Sequence, residues 1–210
     1  MSTSLWSFAL VVGLLTLTPG LDTALILRTS ALGRRRRAWG VVLGIQSGTL
    51  VWGALTSLGV TALLTASHLA YVTLRWAGAA YLVWMGLRML RDTFRGTSSD
   101  GPAAPDPAAG EDTFTGGWRQ GTLTNLLNPK MGAFYVAVLP QFLPPGSNHF
   151  AMGLLLTAVH IVLGLVWSAA LIGFARVLHG WLRRPRARLV LDRVTGTVVA
   201  AFGVRLALGD

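Results

Sequence analysis

The chain has 210 residues, 52% of them hydrophobic and 12% charged, with a mean hydropathy of +0.56. A soluble domain is typically about 25% charged, and here the apolar residues gather into runs of about 20, so the composition describes a polytopic membrane protein. The net charge of +10 does not read as nucleic-acid binding, because most arginines cluster in loops flanking apolar runs, where they set orientation; the absence of cysteine excludes disulfides, thiol catalysis and thiolate metal sites.

The N-terminus, Met1-Ser-Thr-Ser-Leu-Trp-Ser7, has no Lys or Arg ahead of its apolar run, so it reads as a retained first span rather than a cleaved signal. Span one runs from about Leu5 to Leu27 and is interrupted at Pro19-Gly20. Span two covers about Ala38 to Leu64 and contains Gly44-Ile-Gln-Ser-Gly48. A short turn around Ser67-His68 leads into span three, about Leu69 to Leu90. The segment 93–117 is rich in Pro, Gly, Ala and acid, with too few apolar groups to pack, and reads as a mobile linker. Span four runs from about Trp118 to Leu143, with Pro140, Pro144 and Pro145 at its end. Span five, about Phe150 to Leu178, holds His160. A basic tract from His179 to Arg193 overlaps the start of span six, about Leu189 to Leu208.

The distribution of arginines is consistent at every loop. Arg28 and Arg34 to Arg37 follow span one; Arg88, Arg91, Arg95 and Arg119 follow span three; Arg176, Arg183, Arg184, Arg186, Arg188 and Arg193 follow span five. The other two connections have neither Lys nor Arg, so the basic loops are expected in the cytoplasm and both termini outside.

Aligning Pro19 on Pro129 pairs Leu15-Thr-Leu-Thr-Pro-Gly20 with Asn125-Leu-Leu-Asn-Pro-Lys130. The third spans also correspond: Arg75-Trp-Ala-Gly78 precedes Gly86-Leu-Arg88, and Arg193-Val-Thr-Gly196 precedes Gly203-Val-Arg205. Three spans per half is an odd number, so the halves would insert with opposite orientation, a frequent arrangement in secondary transporters. The expected fold is an all-α membrane protein of six transmembrane helices in two three-helix inverted repeats, with broken first and fourth helices. Residues 1–92 form the first repeat, 93–117 the linker and 118–210 the second repeat. Gly78, Gly86, Gly196 and Gly203 read as helix-packing residues.

The two breaks are where chemistry is expected. Pro19 and Pro129 each remove a backbone hydrogen bond, Gly20 adds flexibility, and freed carbonyls and half-helix N-termini can hold ions and zwitterions; each break also reads as a kink healed by neighbouring helices. Asp22 is the one acid near membrane depth, and Lys130 is the one lysine among seventeen arginines. The two would face one another and bind a zwitterionic or charged substrate, with Asp22 also the first candidate for proton coupling. The competing reading places both at the interface, Lys130 snorkelling and Asp22 paired with an arginine. Asn125, Asn128 and Gln46 supply amides for a carboxylate or hydroxyl, or interhelical bonds worth on the order of 0.6 kcal/mol each. His160 could relay protons, or sit neutral and donate to a backbone carbonyl.

Enzyme readings fail on spacing. Gly44-Ile-Gln-Ser-Gly48 is not a Gly-x-Ser-x-Gly elbow. There is no Walker loop, glycine-rich fingerprint or ligand cluster, so neither cofactor nor metal is expected.

The chain resembles the lysine-exporter (LysE/RhtB-type) translocators over nearly its whole length. The likeness rests on Thr18-Pro-Gly-Leu-Asp-Thr-Ala24, Gly40 to Gly48, Leu74-Arg-Trp-Ala-Gly-Ala-Ala-Tyr-Leu-Val-Trp-Met-Gly86, Trp118-Arg-Gln-Gly-Thr-Leu-Thr-Asn-Leu-Leu-Asn-Pro-Lys130 and Pro140-Gln-Phe142. It implies six spans, a bacterial cytoplasmic-membrane location and ion-driven, chiefly proton-driven, efflux of amino acids. Leu21 stands where that family usually has a second proline, and Gln46 where it tends to have a small residue. The function expected is therefore secondary export of an amino acid or close derivative, the bilayer being the medium and a homo-oligomer compatible with the sequence. Export of metal cations, or a non-transporting membrane scaffold, are the alternatives.

Overall fold

A computed structural model of the chain describes residues 2–18, 20–66, 68–94, 113–144 and 147–174, with scattered helical positions between 189 and 204. Among the described residues there are helices and no strand. They form α1 (Ser2–Leu17), α2 (Leu21–Ala31), α3 (Arg35–Ala66), α4 (His68–Phe94), α5 (Phe114–Leu126), α6 (Pro129–Ala137), a 3-10 turn (Leu139–Phe142) and α7 (His149–Gly173).

Local chemistry sets the boundaries. Gly33, at φ 77°, takes the left-handed conformation that ends α2 and lets α3 begin two residues later. Thr113, Asn128 and Asn148 cap α5, α6 and α7, their side-chain oxygens accepting from the amides of Gly116, Lys130 and Ala151. Pro129 occupies the start of α6, where its missing N–H is not needed.

The Arg35–Gly59 stretch of α3 and the whole of α7 are each long and apolar enough to cross a bilayer, and α1 with α2 makes a third such element, bent by 54°. At 13 and 9 residues, α5 and α6 are each short of the ~20 a span needs. Both expected helix breaks are present, at Thr18–Gly20 and at Leu127–Asn128. At the edges of the expected 93–117 linker, α4 continues to Phe94, and α5 begins at Phe114 because Thr113 caps it. Span four is not one helix to Leu143 but ends at Ala137, followed by the 3-10 turn through Pro140. Pro19, Ser67, residues 95–112 and most of the basic tract and sixth span lie outside the described residues.

In lipid, helices associate through close packing rather than hydrophobic drive, and α3 with α5 shows how. Gly40, Gly44 and Gly48, at spacing four, form one face of α3. A methyl group at Gly40 or Gly44 would run into the backbone of Phe114 or Trp118, and one at Gly117 or Gly121 of α5 into the backbone of Arg37 or Val41. The backbones are thus in contact, and Thr122 Oγ1 donates across the seam to the Gly44 carbonyl at 3.1 Å. Gly86 of α4 meets Gly196 and Ala200 in the same way, as expected for a packing glycine; Gly203 lies outside the described residues.

Two apolar clusters flank the first break. One joins Phe8, Val12 and Leu15 of α1 to Phe134 and Tyr135 of α6, Phe142, and Leu156 of α7. The other joins Leu25 and Ile26 of α2 to Val41, Val42 and Ile45 of α3 and Leu171 of α7. Gly44→Val or Gly121→Val is expected to lower stability by about 1–3 kcal/mol through overpacking. Gly13→Ala and Gly59→Ala, whose added methyls meet nothing within 4 Å, should be neutral or slightly stabilising. Thermal melting of the detergent-solubilised protein checks both.

Candidate functional site

Between the two apolar clusters lies a cavity of about 60 Å³, walled by α1, α2, α3, the α5–α6 junction and α7. Since one water needs about 10–15 Å³ measured this way, it has room for a few waters or a small solute. Gly20, Asp22, Gln46, Asn125, Asn128, Lys130 and His160 all line it. Residues from four distant stretches of sequence are thereby brought to one place. Pro129 stands at the start of α6 behind Asn128, and Pro19 lies outside the described residues.

The first break leaves the last carbonyls of α1 without helical donors. The Thr16 and Thr18 hydroxyls donate back to the carbonyls of Val12 and Leu14, at 2.7 and 2.8 Å, a bonding pattern that often bends helices. The Lys130 ammonium then reaches across from α6, donating to the carbonyls of Leu15 at 2.9 Å and Thr18 at 3.1 Å. A cation there also meets the negative end of the helix dipole. These contacts hold the Lys130 ammonium against the end of α1. α2 begins just beyond, with Gly20 at its N-cap offering no side-chain cap and Asp22 in its first turn.

Asp22 finds an amide rather than an arginine. Asn125, fully buried at the end of α5, donates from Nδ2 to Asp22 Oδ2 at 2.9 Å. The remaining oxygens, Asp22 Oδ1 and Asn125 Oδ1, are buried and accept no hydrogen bond among the described residues. The ammonium of Lys130 acts electrostatically on both Asp22 and His160. Gly48 makes the arrangement fit, since a side chain there would stand 2.6 Å from Asn125 Oδ1. The Asn125 carbonyl accepts from the amide of Asn128 at 3.1 Å and from the Trp52 indole at 3.4 Å, which holds the second break.

His160 is bonded to a phenol, not to a backbone carbonyl. Tyr135 OH lies 3.0 Å from His160 Nδ1, the two rings stack at 5.7 Å, and Phe134 packs edge-on at 5.6 Å. The opposite ring nitrogen is left for the cavity. Gln46 is buried beside Gly164 of α7. Among the described residues no three metal-ligating side chains come together.

Several residues of the site escape sequence reasoning. Gly48 does carry a signal, its spacing of four with Gly44 and Gly40. Ser168 and Gly164 share a helical face with His160, at successive intervals of four residues. Tyr135 carries no local signal, since it is one aromatic in an apolar run.

Charges of both signs at interrupted helices, in a chain with several bilayer-length apolar elements, define a membrane translocator rather than an enzyme. The chain matches the LysE type translocator family over residues 13–210 and belongs to it. It is 30% identical to the homoserine/homoserine lactone efflux protein of Salmonella typhimurium, covering 96% of each chain. It is 27% identical to the threonine efflux protein of Escherichia coli (strain K12), covering 91% of each. An uncharacterized membrane protein of Pseudomonas aeruginosa is 31% identical over 98% of this chain and 95% of its own. No solved structure matches the chain.

Lys130→Met leaves the Leu15 and Thr18 carbonyls short of a donor in a buried site. It is expected to destabilise the detergent-solubilised protein by about 1–3 kcal/mol, read as a lowered melting midpoint. An unchanged midpoint would assign the ammonium no part in closing the first break.

Proposed function

We propose that the protein is a secondary exporter of amino acids or close derivatives across the bacterial cytoplasmic membrane, driven by protons. The observation that carries this reading is the joint presence, in one small cavity, of the Asp22–Asn125 pair and the Lys130 ammonium at two helix breaks. An α-amino acid presents the complementary charges a short distance apart. Its ammonium suits Asp22 and the unpaired Asn125 Oδ1, and its carboxylate suits Lys130 and the uncapped N-terminus of α2. Family membership, and the names of the homoserine and threonine efflux proteins, support the amino-acid class.

The proposed mechanism is alternating access, with residues 1–92 and 118–210 as inverted halves joined by the 93–117 linker, the basic loops in the cytoplasm and both termini outside. Support comes from the larger contacts: α1 lies against α7 and α5 against α3, and α3 and α7 pack together, while α2 touches both α3 and α7 and α6 both α3 and α4. The α1–α7 and α3–α5 contacts are compatible with a two-fold axis in the membrane plane. Asp22 is the proposed proton-coupling residue and His160 the second candidate, Tyr135 holding its ring in place. Each charge moved down the membrane potential contributes about 2.3 kcal/mol per 100 mV.

The test is substrate-dependent proton flux in proteoliposomes with a panel of amino acids. Asp22→Asn is expected to abolish transport driven by a pH gradient while leaving the protein inserted. Full gradient-driven activity in that variant would remove Asp22 from the coupling role.

A further inference from the structure

We infer that Asn125 is the second half of the proton site: a proton on Asp22 is held head to tail between the carboxyl and the Asn125 carboxamide, and latches α2 to α5. The part the latch plays in export rests on the proton-driven exporter reading; the latch itself does not.

The hydrogen bonds of this pair do not balance without a proton. Asn125 Nδ2 donates to Asp22 Oδ2 at 2.9 Å, joining one prong of the carboxamide to one prong of the carboxyl. The other prong on each side, Asp22 Oδ1 and Asn125 Oδ1, is an oxygen that is buried and accepts no hydrogen bond among the described residues. Asn125 is fully buried. α3 backs its Oδ1 with Gly48, where even a methyl group would stand 2.6 Å away, so position 48 has no side chain with which to donate. Buried polar atoms left unmet are uncommon in folded proteins, and here two of them belong to one bonded pair.

One proton removes both deficits. An ionised carboxylate only accepts, whereas a protonated carboxyl carries one O–H donor. With the proton on Oδ1, Asp22 donates to Asn125 Oδ1 while its Oδ2 goes on accepting from Nδ2. Both groups are planar and two-pronged, so the two bonds close a ring. Lys130 of α6 and His160 of α7 are the other titratable groups lining the cavity; α1, α3 and α5 bring none. The Lys130 ammonium donates to the carbonyls of Leu15 and Thr18, and His160 is bonded to Tyr135.

Asp22 stands in the helix after the first break and Asn125 in the helix before the second. The ring therefore ties the two breaks together while the proton is present. When the proton passes to water on the side then open, it leaves a buried charge and two acceptors with no donor between them, a costly state, and the latch yields. Release of the proton then precedes capture of the substrate's ammonium.

The test uses the full-length protein in liposomes with no substrate present. Infrared spectra follow the carbonyl stretch of a protonated carboxylic acid across a pH titration, and its exchange in deuterated water. The wild type is expected to show one buried acid band that Asp22→Asn removes. Asn125→Leu should move that band to higher frequency, because the acid carbonyl loses the Nδ2 donor. It should also speed exchange at least about tenfold, the worth of roughly one hydrogen bond. An asparagine that only fills space would leave both readings unchanged. If the leucine variant does not insert, Asp22→Asn combined with Asn125→Asp carries the test. That exchanged pair should return the wild-type band, and its absence overturns the latch. No acid band that depends on Asp22, or one that Asn125→Leu leaves at the same frequency and exchange rate, also overturns it and leaves the exporter reading to the flux assay. A wild type that shows the band but moves no amino acid retains the latch, while the exporter reading fails.

Discussion

Breaking a helix inside hydrocarbon exposes backbone carbonyls that no water will meet, and the resolution of that constraint organises this protein. The Lys130 ammonium, extended from the start of α6, donates to the carbonyls of Leu15 and Thr18 at the end of α1. One break is therefore closed by a residue positioned by the other. A lysine suits this better than the arginines that crowd the loops. Its compact point charge with three rotatable donors reaches two converging carbonyls, whereas a guanidinium presents a rigid planar fork. The same contact fixes a positive charge beside a cavity whose other wall carries Asp22.

That placement is only as accurate as the packing behind it. The α5 helix bears Asn125, which reaches Asp22, and α5 is held by direct backbone approach to α3 through Gly40, Gly44, Gly117 and Gly121. Gly48 continues the same face but meets the Asn125 side chain instead of backbone. The glycine stripe thus changes role along its length, from closing a helix seam to making room for a polar residue. Thr122, Trp118 and Trp52 add hydrogen bonds across the seam at the carbonyl of Gly44, the hydroxyl of Ser47 and the carbonyl of Asn125.

Much of this was legible from the chain because breaks in apolar runs are local signals. Pro-Gly at 19–20 and Asn-Pro-Lys at 128–130 marked both interruptions, and the scarcity of other charge at that depth singled out Asp22 and Lys130. The partners were not legible. That Lys130 bonds α1 carbonyls, that Asp22 takes an amide instead of an arginine, and that His160 leans on Tyr135 all depend on long-range helix placement. Nothing in one helix's sequence encodes that placement. Helix ends were also displaced wherever a cap outweighed hydropathy: Thr113 starts α5 before the apolar run begins. Pro140 falls in the 3-10 turn that succeeds α6 at the end of span four.

The exporter reading turns these contacts into a mechanical requirement. A ligand can shift a conformational equilibrium only by as much as its affinity differs between the two states. In the described state Lys130 serves the α1 terminus and Asn125 serves Asp22, so the site's strongest groups are partly engaged by the protein itself. A substrate carboxylate that draws on the ammonium competes with the Leu15 and Thr18 carbonyls, and a substrate ammonium at Asp22 competes with Asn125 Nδ2. Under that reading binding loosens the two contacts made at the breaks, coupling occupancy to the relative position of α1 and α6. Asp22 Oδ1 and Asn125 Oδ1, buried and unpaired among the described residues, give the ligand an immediate gain before either contact yields. On this argument the unmet oxygens drive capture, while the lysine and amide contacts that the ligand must displace carry the conformational change.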